Sequence, residues 1–61
     1  MSETVRAQIL AIRDTGETNM FDVPVVRLIA LREGYVELLE YLDDHTPDYA
    51  RFILYGDSAL S

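Results

Sequence analysis

The sequence has no cysteine, no lysine and no tryptophan, and it has a single histidine. Without cysteine no disulfide can form, and with one histidine a classical zinc site is not expected. A chain of 61 residues makes one domain at most. At this size it buries only about 60% of the surface that its unfolded form exposes. Helix packing or self-association is therefore the expected source of stability.

Positive charge is scarce. Five arginines carry all of it against eleven acidic residues, which gives a net charge of −6. Because nucleic-acid phosphates need a positively charged surface, direct binding of nucleic acid is not expected. The charge favours a basic surface on a partner protein.

Long apolar runs are absent as well. No run reaches the roughly 20 residues that cross a bilayer. Charged residues occur throughout residues 2–13, where a signal peptide would need an apolar stretch. We therefore expect no membrane association and an intracellular location.

Glycine and proline are few, and each lies where a helix end would place it. Gly16, Gly34 and Gly56 each follow an apolar-periodic segment, while Pro24 and Pro47 fall in the first turn of the next one. Together they predict an all-α fold, a compact bundle of about four short helices in one domain spanning residues 1–61. The tail, residues 57–61, is expected to fray. The predicted helices run from about Glu3 to Asp14, Val23 to Glu33, Tyr35 to Asp44 and Pro47 to Tyr55.

Polar residues in front of three of these segments predict N-caps: Ser2, Asp22 and Thr46. The carboxylate of Asp22 is expected to accept a hydrogen bond from a backbone N–H in the first turn. Phe21 then falls at the N′ position and Val26 at N4, which is the spacing of a hydrophobic staple.

The loop TGETNMFDVP, residues 15–24, places Met20 and Phe21 side by side in a mostly polar segment. Such a pair either plugs the core, which the staple spacing favours for Phe21, or forms an exposed contact for a partner. Thr18 and Asn19 are expected to make local turn hydrogen bonds. Asn19 and Met20 remain candidates for partner binding.

The second predicted helix is apolar almost all round, and only three charged residues interrupt it. A helix without a polar face lies centrally in its fold or against another chain. Three other short helices cannot easily surround it. We therefore predict a homodimer with Val25, Leu28 and Leu31 at the interface.

The third predicted helix carries an acidic stripe of Glu37, Glu40, Asp43 and Asp44 and has no basic residue. Negative charge near a helix C-terminus costs roughly 0.3–1 kcal/mol per residue, and like charges three or four residues apart repel further. The stripe is either a solvated helix face, partly in salt bridges to arginines, or a surface that binds a basic patch on a partner by imitating nucleic-acid phosphates.

No pattern in the sequence favours catalysis. No serine, cysteine or lysine is placed with a base that would activate it, and the acidic pairs fall on an open face rather than in a cleft. Asp43, Asp44, His45 and Asp48 are close in sequence, but His45 is expected at a helix junction, where it covers the last carbonyls. We therefore expect no enzyme, no metal and no cofactor.

DNA association is an alternative that rests on the corner between the second and third helices. Ala30, followed four residues later by Gly34 and a new helix, is how many helix-turn-helix motifs begin. The helix entering the groove would be the acidic one, which phosphates repel. A tight helix–helix corner with a small residue at the crossing is the structural interpretation of the same spacing.

The residues QILAIR at 8–13, Gly16 and TNMFD at 18–22 resemble a family of very small phage and prophage proteins, chiefly of Gram-positive bacteria. The family is catalogued as a domain of unknown function, so the resemblance implies a setting and no mechanism. The likeness continues through Ala30, Gly34–Tyr35, Glu37–Leu38, Tyr49, Phe52–Ile53 and Gly56.

Small phage proteins outside the structural modules commonly bind host proteins, an association that fold alone does not establish. The resemblance therefore implies, as the leading hypothesis, a phage or prophage accessory protein in the cytoplasm of a bacterial host. It would bind and modulate a host protein, for example as a counter-defence inhibitor. The alternatives are a DNA-associated regulator and a structural or assembly accessory protein.

Overall fold

The computed structural model describes residues 1–56, which form four α-helices joined by short turns. This confirms the predicted all-α class, and no strand occurs within residues 1–56. The expected fraying of residues 57–61 lies outside the described residues. The helices are α1 (Glu3–Thr15), α2 (Val23–Glu33), α3 (Val36–Asp44) and α4 (Thr46–Tyr55).

The ends of α1 are closed as the sequence predicts. The Ser2 hydroxyl accepts a hydrogen bond from the backbone N–H of Val5 at 3.1 Å, and Ser2 has the extended backbone of an N-cap residue. Gly16 follows the helix with φ +66°, and its N–H donates to the carbonyl of Arg13. Glycine adopts this left-handed conformation without the steric cost that other residues meet.

Two predicted caps are wrong. Asp22 precedes α2, but its side chain makes no capping hydrogen bond. Its ψ of 77° departs from the 159° of Ser2, so its carboxylate is not directed at the first N–H groups of the helix. Thr46 is the first residue of α4, and its hydroxyl donates to the carbonyl of Leu42 at 2.7 Å. Thr46 therefore closes the end of α3 instead of capping α4, and His45 takes the cap position.

One apolar core joins the four helices and the first loop, and α3 lies at its centre. Helix α3 packs against each of the other three helices, whereas α4 contacts α3 and neither α1 nor α2. The outer side of α2 is consequently left uncovered. The buried side chains are Val5, Ile9, Ile12, Met20, Val26, Ile29, Ala30, Leu38, Leu42, Tyr49 and Phe52.

The corner between α2 and α3 is closed by two backbone hydrogen bonds. The N–H of Gly34 donates to the carbonyl of Leu31 at 3.2 Å, and the N–H of Tyr35 donates to the carbonyl of Ala30 at 2.8 Å. This is the Schellman arrangement, which needs the positive φ that Gly34 adopts. Ala30 is fully buried, so its spacing to Gly34 has the structural explanation of a tight helix–helix corner.

A side chain from α1 caps α3. Tyr35 occupies the cap position of α3 without a side-chain hydrogen bond. The Gln8 side-chain carbonyl accepts instead from the backbone N–H of Leu38 at 3.1 Å. This satisfies one of the N–H groups that a helix start leaves without an intrahelical partner, and it ties the two helices together.

Gln8→Ala is expected to lower the free energy of unfolding by about 1 kcal/mol, as loss of a helix cap does. For a chain of this size that corresponds to a fall in melting temperature of roughly 4–8 °C, measurable by thermal denaturation followed by circular dichroism. Gln8→Glu keeps an acceptor oxygen and is the matched control. An equal loss in both variants would contradict the capping role of Gln8.

Candidate protein-binding surfaces

Local hydrogen bonds build the loop between α1 and α2. The side-chain oxygen of Asn19 accepts from the N–H of Phe21 at 2.8 Å, and the Asn19 carbonyl accepts from the N–H of Asp22 at 2.9 Å. The Thr18 hydroxyl donates to the same carbonyl at 3.5 Å. The predicted turn role of Asn19 and Thr18 is confirmed. The most distinctive polar residue of the TNMFD segment thus shapes the backbone.

Met20 and Phe21 have opposite environments. Met20 is 8% exposed and belongs to the core, whereas Phe21 is 50% exposed. Met20 was a candidate for partner binding, and that prediction is wrong because its side chain fills the interior. The expectation that Phe21 plugs the core is also wrong. The turn at residues 19–22 sends the first of the two side chains inward and leaves the second at the surface.

Two further contacts hold the loop against the helices. The buried hydroxyl of Tyr49 in α4 donates to the Met20 carbonyl, and burial raises the pKa of Tyr49 to about 12. Arg32 donates to both carboxylate oxygens of Glu17, at 2.9 and 2.7 Å, and to Glu33 at 3.0 Å. Its guanidinium lowers the pKa of Glu17. The loop is therefore fixed in place, and its charges are neutralised within the chain.

An apolar strip lies on the uncovered side of α2. Leu28 is 64% and Leu31 66% exposed, while Val25 is half-buried against the core. Of the three residues predicted at a dimer interface, the two leucines are available at the surface and Val25 mainly supports the interior. The strip borders a groove between α2 and α3 that is lined by Val23, Pro24, Arg27, Leu28, Leu31 and Leu39.

The four acidic residues of α3 divide into two groups. Asp43 pairs with the guanidinium of Arg27 from α2. Glu37, Glu40 and Asp44 are exposed, and none of them forms an ion pair with another described residue. These three carboxylates, called the acidic row below, border a shallow depression between α3 and the start of α1. Its other lining residues are Ser2, Val5, Tyr41 and His45.

The acidic row is placed at some cost to the helix. The last turn of α3 has no basic residue, so Asp44 faces the negative end of the helix dipole uncompensated. His45 lies at the helix junction, as predicted, and its backbone N–H donates to the carbonyl of Tyr41 at 2.8 Å. Its ring stacks at 4.9 Å from that of Tyr41, and Nδ1 lies 3.6 Å from the Asp48 carboxylate. Within residues 1–56, no group of three acidic, histidine or cysteine residues is arranged to hold a metal.

A family model matches residues 1–57, a range that contains all four helices, the TNMFD loop and both surfaces. The chain belongs to the family Domain of unknown function (DUF5049). The predicted resemblance to a domain of unknown function is confirmed at that level. No curated protein and no solved structure matches the chain significantly. No helix of this DUF5049 domain within residues 1–56 has the length and apolar character to cross a membrane.

Proposed function

We propose that this DUF5049 protein is a non-catalytic phage or prophage accessory protein that binds and modulates a host protein through the acidic row. The observation that carries the proposal is the exposure of Glu37, Glu40 and Asp44 on one side of α3 without an ion pair among the described residues. Several other carboxylates are paired, such as those of Glu17, Glu33 and Asp43. Charge left unpaired where it weakens a helix has a ready purpose in binding.

The chemistry of the row indicates a basic partner surface. Its carboxylates follow one side of the helix over about 10 Å, from a rise of about 1.5 Å per residue. A protein surface that binds nucleic-acid phosphates accepts such a line of negative charge. The host target would then be a nucleic-acid-binding protein of the bacterial cytoplasm, and occupation of its basic surface would inhibit it, as in counter-defence. Asp43 is outside the proposed contact because Arg27 already engages it.

Affinity capture from lysate of the bacterium that carries the gene tests the proposal. The tagged protein, analysed by mass spectrometry, is expected to retain one stoichiometric host protein after nuclease treatment. Glu40→Gln with Asp44→Asn is expected to weaken that binding by about tenfold or more, since each lost charge contact removes on the order of 1 kcal/mol. Stability should stay equal or rise by up to about 1 kcal/mol, because Asp44 opposes the helix dipole.

The matched control is Asp14→Asn with Asp22→Asn, which removes the same net charge from exposed residues outside α3. Equal binding by the two double variants would show that the acidic row is not the contact. Loss of every captured partner on nuclease treatment would favour a DNA-associated regulator built on the Ala30–Gly34 corner. Capture of virion or packaging proteins would favour an assembly role.

A further inference from the structure

We infer that a second copy of this chain covers the apolar groove of α2. In the resulting homodimer the two α2 helices pack antiparallel about a two-fold axis close to Leu28. The inference does not depend on the proposed function, since it concerns the opposite side of the molecule from the acidic row. It follows from the shape of the apolar strip, the charges at its rim and the position of the acidic row.

The strip has the form of a helix–helix contact. Pro24, Leu28 and Leu31 recur at i, i+4 and i+7, so they lie on one side of α2 along most of its length. They are placed almost evenly about Leu28. Two antiparallel copies would therefore set Leu28 against itself and Leu31 against Pro24 of the other copy. The same surface serves both copies, which is the requirement of a closed two-fold interface.

The charges at the rim favour a second copy over a charged partner. Arg27 pairs with Asp43, and Arg32 pairs with Glu17 and Glu33. A partner that recognised these arginines would have to displace carboxylates from the same chain. A second copy brings an identical rim in which the charges are already neutralised, so no charge is left without a partner when the grooves meet.

The acidic row explains why this side is suited to self-association. Two chains of net charge −6 repel unless their acidic surfaces point apart. Leu39 lines the groove, whereas Glu37, Glu40 and Asp44 border the depression beside α1. At 100° per residue these carboxylates lie roughly 100–160° around α3 from Leu39. Contact through the groove therefore places the two acidic rows on the outer sides of the dimer.

Sedimentation equilibrium, from low micromolar to submillimolar chain concentration, tests the inference. The wild type is expected to reach twice its monomer mass of 7.0 kDa. Leu28→Glu with Leu31→Glu is expected to raise the dimer dissociation constant on the order of a hundredfold, as charges placed at central apolar contacts do. Because both leucines are largely exposed in the single chain, this variant should keep its helical circular dichroism.

Leu54→Glu is the matched control. Leu54 is 59% exposed and lies on α4, which does not contact α2, so the dimer should persist. Introduced cysteines test the orientation, since the chain has none of its own. Leu28→Cys should form a disulfide-linked dimer on mild oxidation, and Leu54→Cys should not.

Three results would overturn the inference. A wild type that remains at the monomer mass over the whole concentration range would leave the groove to a partner of different sequence. Dissociation by Leu54→Glu as strong as that by the groove variant would place the contact elsewhere. A Leu28→Cys protein that cross-links no faster than Leu54→Cys would reject the antiparallel arrangement about Leu28.

Discussion

Met20→Ala is expected to lower the free energy of unfolding by about 2–5 kcal/mol, whereas Phe21→Ala beside it is expected to cost less than about 1 kcal/mol. Met20 is 8% exposed and fills the core, while half of the Phe21 side chain is exposed. A domain of 61 residues has a total stability of roughly 3–9 kcal/mol. The Met20 variant should therefore be unfolded in a substantial fraction of molecules under native conditions.

Urea denaturation followed by far-ultraviolet circular dichroism measures both variants. Met20→Leu serves as the control, because a volume-conserving apolar exchange in a core costs less than about 1.5 kcal/mol. The assignment of Met20 to the core and Phe21 to the surface would be rejected if the two alanine variants were equally destabilised. It would be reversed if Phe21→Ala were the more damaging change.

The contrast between these neighbours shows what local sequence determines. Helix ends follow from signals within a few residues, and for this reason the predicted ranges come within one residue of the observed helices. Apolar periodicity likewise predicts the buried face of α1, where Val5, Ile9 and Ile12 all lie in the core. The pair Met20 and Phe21 gives no such signal, because both side chains are apolar. The hydrogen bonds of Asn19 decide which of them turns inward.

Contacts between distant segments could not be predicted from local patterns. Gln8 caps α3 from 30 residues away, and Tyr49 reaches Met20 from 29 residues away. Each depends on how the helices pack. The failed caps have the same origin, since Asp22 and Thr46 are good capping residues in isolation, but the backbone at Asp22 and the nearby carbonyl of Leu42 offer other arrangements.

The candidate surfaces were predictable in outline. An acidic side of α3 follows from residue spacing, but its division into a paired Asp43 and an unpaired row depends on Arg27 from another helix. The apolar character of α2 indicated a central helix or a helix pressed against another chain. The central position belongs to α3, which packs on three neighbours, so the exposed leucines of α2 remain to be explained by a contact outside the single chain.

Alkaline pH is expected to remove up to about 2–3 kcal/mol of stability between pH 10 and pH 12, from about 1.4 kcal/mol per unit of pKa shift. Burial raises the pKa of Tyr49 from 10.0 to about 12. The folded chain therefore holds its phenolic proton where the unfolded chain has lost it. The contribution is complete below pH 10, the unfolded value, and is lost as the pH rises through the folded value of about 12. Urea midpoints measured across this range report the loss.

Tyr49→Phe separates the hydrogen bond of this hydroxyl from its titration. At neutral pH the variant is expected to lose about 1–3 kcal/mol, because the buried Met20 carbonyl is left without its donor. Above pH 10 its stability should approach that of the wild type, since phenylalanine has no proton to lose. A smaller alkaline loss should remain in the variant, because burial also raises the pKa of Tyr41. Tyr35→Phe is the control, because the Tyr35 hydroxyl makes no hydrogen bond within residues 1–56. If the wild type and Tyr49→Phe lost stability in parallel as the pH rose, the titrating group would lie elsewhere and the buried contact between α4 and the loop would not control the alkaline transition.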